Sequence, residues 1–285
     1  MWSARLLLSA SATAGKWVER NDESENQNLM IVCRGRAELE KMREANLIVA
    51  RVLSHLGTLI HSGMTTAELD RVAEGMIVEA GAEPAFKGYR GYPATLCASV
   101  NDQIVHGIPS DRPLREGDIL GLDVGVRYHG YYGDSAWTFP VGKISPRAQR
   151  LLDVTKASLF RGIAKVMPGN RVSDISATIQ EFVEAQGFSV VKDFVGHGIG
   201  RSLHEEPQVP NYGKPGRGPR LLEGMVLAIE PMVNSKGPEA KVLDDRWTAV
   251  TLDGGCSAHF EHSVAVTRNG PWILSAPDGV RENGE

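Results

Sequence analysis

From Ala37 to His55 the apolar residues Leu39, Met42, Ala45, Ile48, Val49, Val52 and Leu53 recur at the spacing that lines one face of an α-helix. Gly57 is placed to close that helix. Thr65 and Glu68 then form a capping-box signature for a second helix, ending at Gly81. Strand material follows at Thr95 to Val100. Ser145-Pro146 opens a third helix, with serine as N-cap and proline at the first helical position. It runs through Leu151, Leu152, Val154, Leu159 and Ile163 to a stop at Met167-Pro168-Gly169. A fourth helix spans Asp174 to Ala185 and is closed by Gly187. Strands are expected at Ser189 to Val195, Met225 to Val233 and Phe260 to Thr267, with a Gly/Pro/Arg-rich surface loop over 211–220.

The two halves therefore share a helix–turn–helix–strand plan. The interval from Gly63 to Gly81 equals that from Gly169 to Gly187. Superposing them sets Leu69 on Ile175, Met76 on Phe182 and Ile77 on Val183. This reads as an internal duplication of mixed α/β halves, each burying a sheet under a helix pair.

A chain of 285 residues, 42% apolar and 23% charged, has ample core for one large domain. A net charge of −4 gives no basic footprint for nucleic acid as a main ligand. Cys33, Cys97 and Cys256 are odd in number and far apart, which points to reduced thiols in a reducing, cytoplasmic setting. No apolar run is long enough for a membrane span. Residues 1–33 are expected to be a flexible extension, with Met30 a conceivable start. A single catalytic domain is expected over 34–276 and a loose tail over 277–285.

The chemistry begins in GDILGLDVGVRYHGYYGDSAWTFPVG, Gly117 to Gly142. Ile119 to Val126 and Tyr131 to Val141 are strand-like, and Tyr128-His129-Gly130 supplies a turn. A turn centred on 128–129 sets Asp123 directly opposite Asp134. Like charges facing each other destabilise a sheet, so a cation between them is the first hypothesis. FVGHGIG brings His197 out of a strand between glycines. A dinucleotide reading of those glycines fails, because the proline-containing RSLHEEPQVP cannot form the helix that a pyrophosphate needs. His204-Glu205-Glu206 is no zincin either: Gln208 stands where a second histidine belongs. Glu230 in LAIEPM and Glu261 in HFEHS sit in otherwise apolar strands, at a cost that needs an ion pair or a metal. Both strands lack Lys and Arg. Asp123, Asp134, His197, Glu230 and Glu261 together make an oxygen-rich set suited to two divalent ions, Mn, Fe(II), Co or a catalytic Zn pair. Two bridged ions can hold a hydroxide and clamp a tetrahedral intermediate.

FVGHGIGRSLHEEPQVPNY, with NDQIVHGIP, GLDVG, YYGDSAWTF, AIEPMV and HFEHS in order, resembles the type I methionine aminopeptidases from about Arg36 to Leu274. The resemblance implies a pita-bread fold, with pseudo-twofold helix–helix–sheet halves around a dinuclear site. It implies removal of the initiator methionine from nascent chains when the second residue is small. Asp123, Asp134, His197, Glu230 and Glu261 would be the metal ligands, Asp134 and Glu261 bridging. Glu230 would also handle the proton of the attacking water, His204 would steady the oxyanion and His106 would meet the scissile amide. Read without the resemblance, His106 could be a turn residue and His204 a loop cap. Tyr89, Tyr92, Cys97, Leu203 and Trp247 would line the methionine pocket together with His106 and His204. Leu203 stands where many members place an aromatic residue. The implied partners are nascent N-termini and, transiently, the ribosome, with the enzyme a monomer. Prolidases and Xaa-Pro aminopeptidases, which share the fold and metal set, and a non-catalytic binding relative are the alternatives.

Overall fold

The computed structural model describes residues 30–276. The tail expected over 277–285 and all but the last four residues of the expected extension lie outside it. Ile31, assigned to that extension from sequence, packs against the core.

The first half holds helices α1 (Arg36–Leu59) and α2 (Thr66–Glu79) and strands β1 (Glu83–Pro84), β2 (Leu96–Val100), β3 (Gln103–Val105), β4 (Ile119–Tyr128) and β5 (Tyr131–Pro140). The second holds α3 (Pro146–Ile163), α4 (Val172–Ala185), β6 (Ser189–Val190), β7 (Gly196–Gly198), β8 (Glu205–Val209), β9 (Val226–Ile229) and β10 (Met232–Asn234). It continues through β11 (Ala240–Val242), β12 (Ala249–Thr251), β13 (Ser257–His259), β14 (His262–Thr267) and β15 (Gly270–Ile273). Every named strand pairing is antiparallel. β4 is flanked by β1, β2 and β5, and the second large sheet runs β15-β14-β9-β7-β8.

The helix starts follow their local chemistry. Thr65 accepts from the Glu68 amide while Glu68 reaches back to Thr65 N, and Ser145 accepts from the Ala148 amide. The duplicated plan holds in the packing. Leu69, Ile77, Ile175 and Val183 are fully buried, whereas Met76 and Phe182 are both partly buried at their cluster edges. The paired glycines match in conformation: Gly63 and Gly169 both have φ +94°, and Gly81 and Gly187 have φ +71° and +78°. Only a residue without Cβ adopts this left-handed backbone freely.

Gly57 does not end α1, which continues to Leu59. Its role is close packing, since a Cβ there would lie 2.6 Å from a Phe139 ring carbon. α1 presses against β5 in the same way at Gly133, where an added Cβ would lie 2.8 Å from the Ala45 carbonyl carbon. That approach lets Asn46 Oδ1 accept from the Asp134 amide at 3.3 Å. The helix thus fixes the strand that carries one of the acidic residues.

Candidate metal centre and active site

The hairpin register differs from the sequence expectation. The two-residue loop is His129-Gly130, with φ +50° and +78°, as a type I′ turn requires. Asp123 therefore faces Ala136, and Asp134 faces Gly125. The slip moves each partner by two positions, so both aspartates keep the same face and become diagonal neighbours. They remain close enough that Asp123 helps to hold the Asp134 carboxyl above the carboxylate range.

Glu230 and Glu261 are not inside continuous strands. Glu230-Pro231 separates β9 from β10, and Phe260-Glu261 separates β13 from β14. These breaks let each carboxylate leave the ladder and turn inward. A row of hydrogen bonds sews the Glu261 segment to β5. Glu261 N donates to Ala136 O at 2.9 Å, Ser135 Oγ to Glu261 O at 2.5 Å and Ser263 Oγ to Asp134 O at 2.9 Å. Thr138 Oγ1 donates to His259 O and accepts from His259 N. One wall of the site comes from each half, and this seam joins them.

His197 lies on β7 with Gly196 and Gly198 beside it, where a Cβ would collide with the Ala228 and Glu206 carbonyl oxygens. Its Nδ1–H donates to Gly198 O at 2.9 Å, so Nε2 keeps its lone pair. Nε2 points at Glu230 Oε1, 3.5 Å away, and Asp134 Oδ2, 3.9 Å away. Donor atoms of Asp134, His197 and Glu261 all lie within 4.8 Å of one another.

Burial raises Asp123 to about 7 and Glu230 to about 8, and holds Asp134 and Glu261 well above the carboxylate range, with their mutual repulsion adding to it. Burial lowers His197 to about 4 and so keeps it neutral. Among the described residues no Lys or Arg pairs with any of the four carboxylates. Asp123 Oδ1, Asp134 Oδ1 and Glu261 Oε1 are buried without a hydrogen-bond partner. Orphaned acceptors beside a neutral imidazole fit a divalent cation and do not fit an ion pair.

Beside the carboxylates, Tyr89, Tyr92, Cys97, Leu203 and Trp247 belong to a single apolar cluster. Tyr92 meets Trp247 edge-on at 5.1 Å and donates to Leu96 O and Gly107 O. Cys97 faces Asp123 across the β2–β4 pair, so the apolar wall and the acidic wall adjoin. Burial pushes its thiol up, which keeps it an apolar surface. His204 stacks on Tyr89 at 5.4 Å and shares a 2.9 Å hydrogen bond between Nδ1 and the tyrosine hydroxyl. Its ring lies 4.3 Å from that of His197. His106 adopts φ +59° and presents its ring edge-on to Phe194 and Trp247. All twelve residues singled out from sequence thus border one region.

Metallopeptidase family M24 matches residues 40–268. The chain belongs to this family. The peptidase is 53% identical over 246 residues to a methionine aminopeptidase from Clostridium perfringens, covering 86% of this chain and 99% of that one. A methionine aminopeptidase structure from Thermotoga maritima superposes with a TM-score of 0.86 at 45% identity, covering 87% of this chain and all of that one. The prolidase from Pyrococcus furiosus superposes at 0.68 with 21% identity, over 66% of its own length, which extends the fold alone. Family and buried Asp/His/Glu group together point to divalent-metal binding in the peptidase.

Sequence reasoning missed His259. Its Nε2 lies 3.6 Å from Glu230 Oε2 and has no hydrogen-bond partner. The signal was its place two residues before Glu261, on the same face of an extended run.

Proposed function

We propose that the peptidase removes N-terminal methionine from polypeptides by hydrolysis when the second residue is small. Supporting this most directly is the meeting of an apolar, sulfur-tolerant side-chain cluster with the buried carboxylates at the Cys97–Asp123 pair. Two divalent ions, among Co, Mn, Fe(II) and Zn, would be held by Asp123, Asp134, His197, Glu230 and Glu261. Orphaned buried acceptors on Asp123, Asp134 and Glu261 support that assignment. When bound, such ions supply Lewis-acid polarisation of a carbonyl and a low-pKa water.

The protein's own groups complete the chemistry. Glu230, whose Oε1 lies 3.5 Å from His197 Nε2, would take and return the proton of the attacking water. Tyr89 orients His204, which is neutral at working pH and able to donate to a carbonyl oxygen as charge develops. Burial lowers His106 to about 4, so it too is neutral and can hydrogen-bond the scissile amide. Tyr89, Tyr92, Cys97, Leu203 and Trp247 bind the methionine side chain and exclude water. The substrates we assign are nascent N-termini, met during transient contact with a ribosome by a cytoplasmic monomer. No helix among the described residues is long and apolar enough to cross a membrane.

Purified protein supplied with Co or Mn should release methionine from Met-Ala-Ser and leave Met-Trp-Ser intact. Preferential cleavage of an Xaa-Pro bond would replace this reading with prolidase. No release of any residue with metal bound would replace it with a binding role.

A further inference from the structure

The loop that carries His204 is held from outside by the chain just before and at the start of α1. Arg34 is buried, with its side chain 3% exposed, and Nη2 donates to both oxygens of Glu205 at 2.8 and 2.5 Å. The Oε1 of Glu205 in turn accepts from the Arg201 and Ser202 amides at 2.8 and 3.0 Å. Glu205 also pairs across the ladder with Gly198, the neighbour of His197. The space for Arg34 is reserved by two glycines. A Cβ on Gly200 would strike its guanidinium, and one on Gly224 would lie 2.5 Å from its carbonyl oxygen. Arg34 N donates to Gly224 O at 2.8 Å, which anchors the arm at its base. Glu38, on the first turn of α1, adds a second strap. It accepts from the Tyr131 hydroxyl at 2.7 Å, and Arg201 donates to the same hydroxyl at 2.6 Å.

A buried Arg–Glu pair is a poor source of stability, because desolvation offsets most of the attraction. Its product here is geometry. A carboxylate capping the 201–202 amides is held in place by the guanidinium, which is rigid and planar and reaches both of its oxygens through Nη2. We propose that Arg34 is a positioning residue of the peptidase: through Glu205 it fixes the 200–204 loop, and with it the placement of His204. The inference rests on the proposed role of His204 in the reaction. It extends the functional site to a residue ahead of the matched family region, which begins at 40.

The test uses the full chain loaded with Mn. Arg34→Met keeps the stem and removes the fork, and Arg34→Met/Glu205→Gln also removes the charge left behind. Both should lower kcat on Met-Ala-Ser about 10- to 100-fold with little change in KM and metal content, as expected when a transition-state donor is misplaced. Arg34→Lys should recover part of the loss. In a His204→Ala background, Arg34→Met should add nothing. Amide hydrogen exchange at Arg201 and Ser202 should accelerate in the Arg34 variants. Should the wild type release no methionine, that exchange still decides the clamp, separately from the function. Unchanged kcat and unchanged exchange in a folded, metal-loaded Arg34→Met protein would overturn it. So would equal losses in the presence and absence of His204.

Discussion

Removing metal from the peptidase should make its stability fall as pH rises above neutrality. Asp123 and Glu230 titrate near 7 and 8 in the folded protein, and Asp134 and Glu261 lie well above the ordinary range. In the unfolded chain these groups titrate near about 4 and are fully ionised at pH 7. Between pH 7.0 and 8.5 the folded state therefore binds more protons than the unfolded state, and stability declines with pH. The buried histidines oppose this only slightly. Burial lowers His106, His197, His204, His259 and His262, so they give up their protons on folding, but in the unfolded chain, titrating at about 6.5, they are already mostly neutral across the window. Each proton retained changes stability by about 1.4 kcal/mol per pH unit, so a single one already gives about 2 kcal/mol across the window. For a domain of this size that lowers the melting temperature by about 4–8 °C. Protein stripped with a chelator should show this fall in a calorimetric or circular-dichroism melt. Protein saturated with Mn should not, because metal binding keeps the carboxylates ionised in the folded state and tightens as protons leave. A flat or rising melting temperature in the stripped protein would refute the account of the cluster. The same fall with and without metal would refute it too.

Two further outcomes follow from individual contacts. Asp134→Asn should abolish turnover and lower bound metal on elemental analysis, yet raise the stability of the stripped protein at pH 7 by about 1–3 kcal/mol, since folding no longer has to protonate a buried carboxylate there. Opposite signs for metal retention and stripped-state stability distinguish a ligand from a structural residue. Gly57→Ala gains about 1 kcal/mol of helix propensity but drives a Cβ to 2.6 Å from the half-buried Phe139 ring, an overpacking cost of about 1–3 kcal/mol. A denaturant melt should show net destabilisation, and a stabilised variant would show that the ring yields freely.

The helices were legible because their signals are local. Thr65 with Glu68 and Ser145 with Pro146 cap neighbouring amides, and apolar residues at helical spacing need only a face to bury. The duplicated plan was legible for the same reason, as equal glycine spacing and matched core positions. Other readings erred where distance along the chain mattered. Gly57 looked like a helix stop because its partner, Phe139, lies far along the sequence. The hairpin turns one residue later than its local pattern indicates, since Tyr128-His129-Gly130 contains more than one possible centre. The breaks at Glu230 and Glu261 leave no local trace, because apolar runs do not mark a departure from the ladder.

The sequence by itself determined the acidic residues, the histidines and the glycines around His197, because their types and local settings are intrinsic to the chain. It also determined that carboxylates in apolar strands require a cationic partner. Only the tertiary structure decided which side chains meet. It made Asp123 and Asp134 diagonal neighbours on one face, set His259 against Glu230, and brought Arg34 beneath the His204 loop. Such contacts join residues far apart in the chain. They depend on strand register, on breaks in the ladder and on how closely α1 approaches β5, none of which a local pattern encodes.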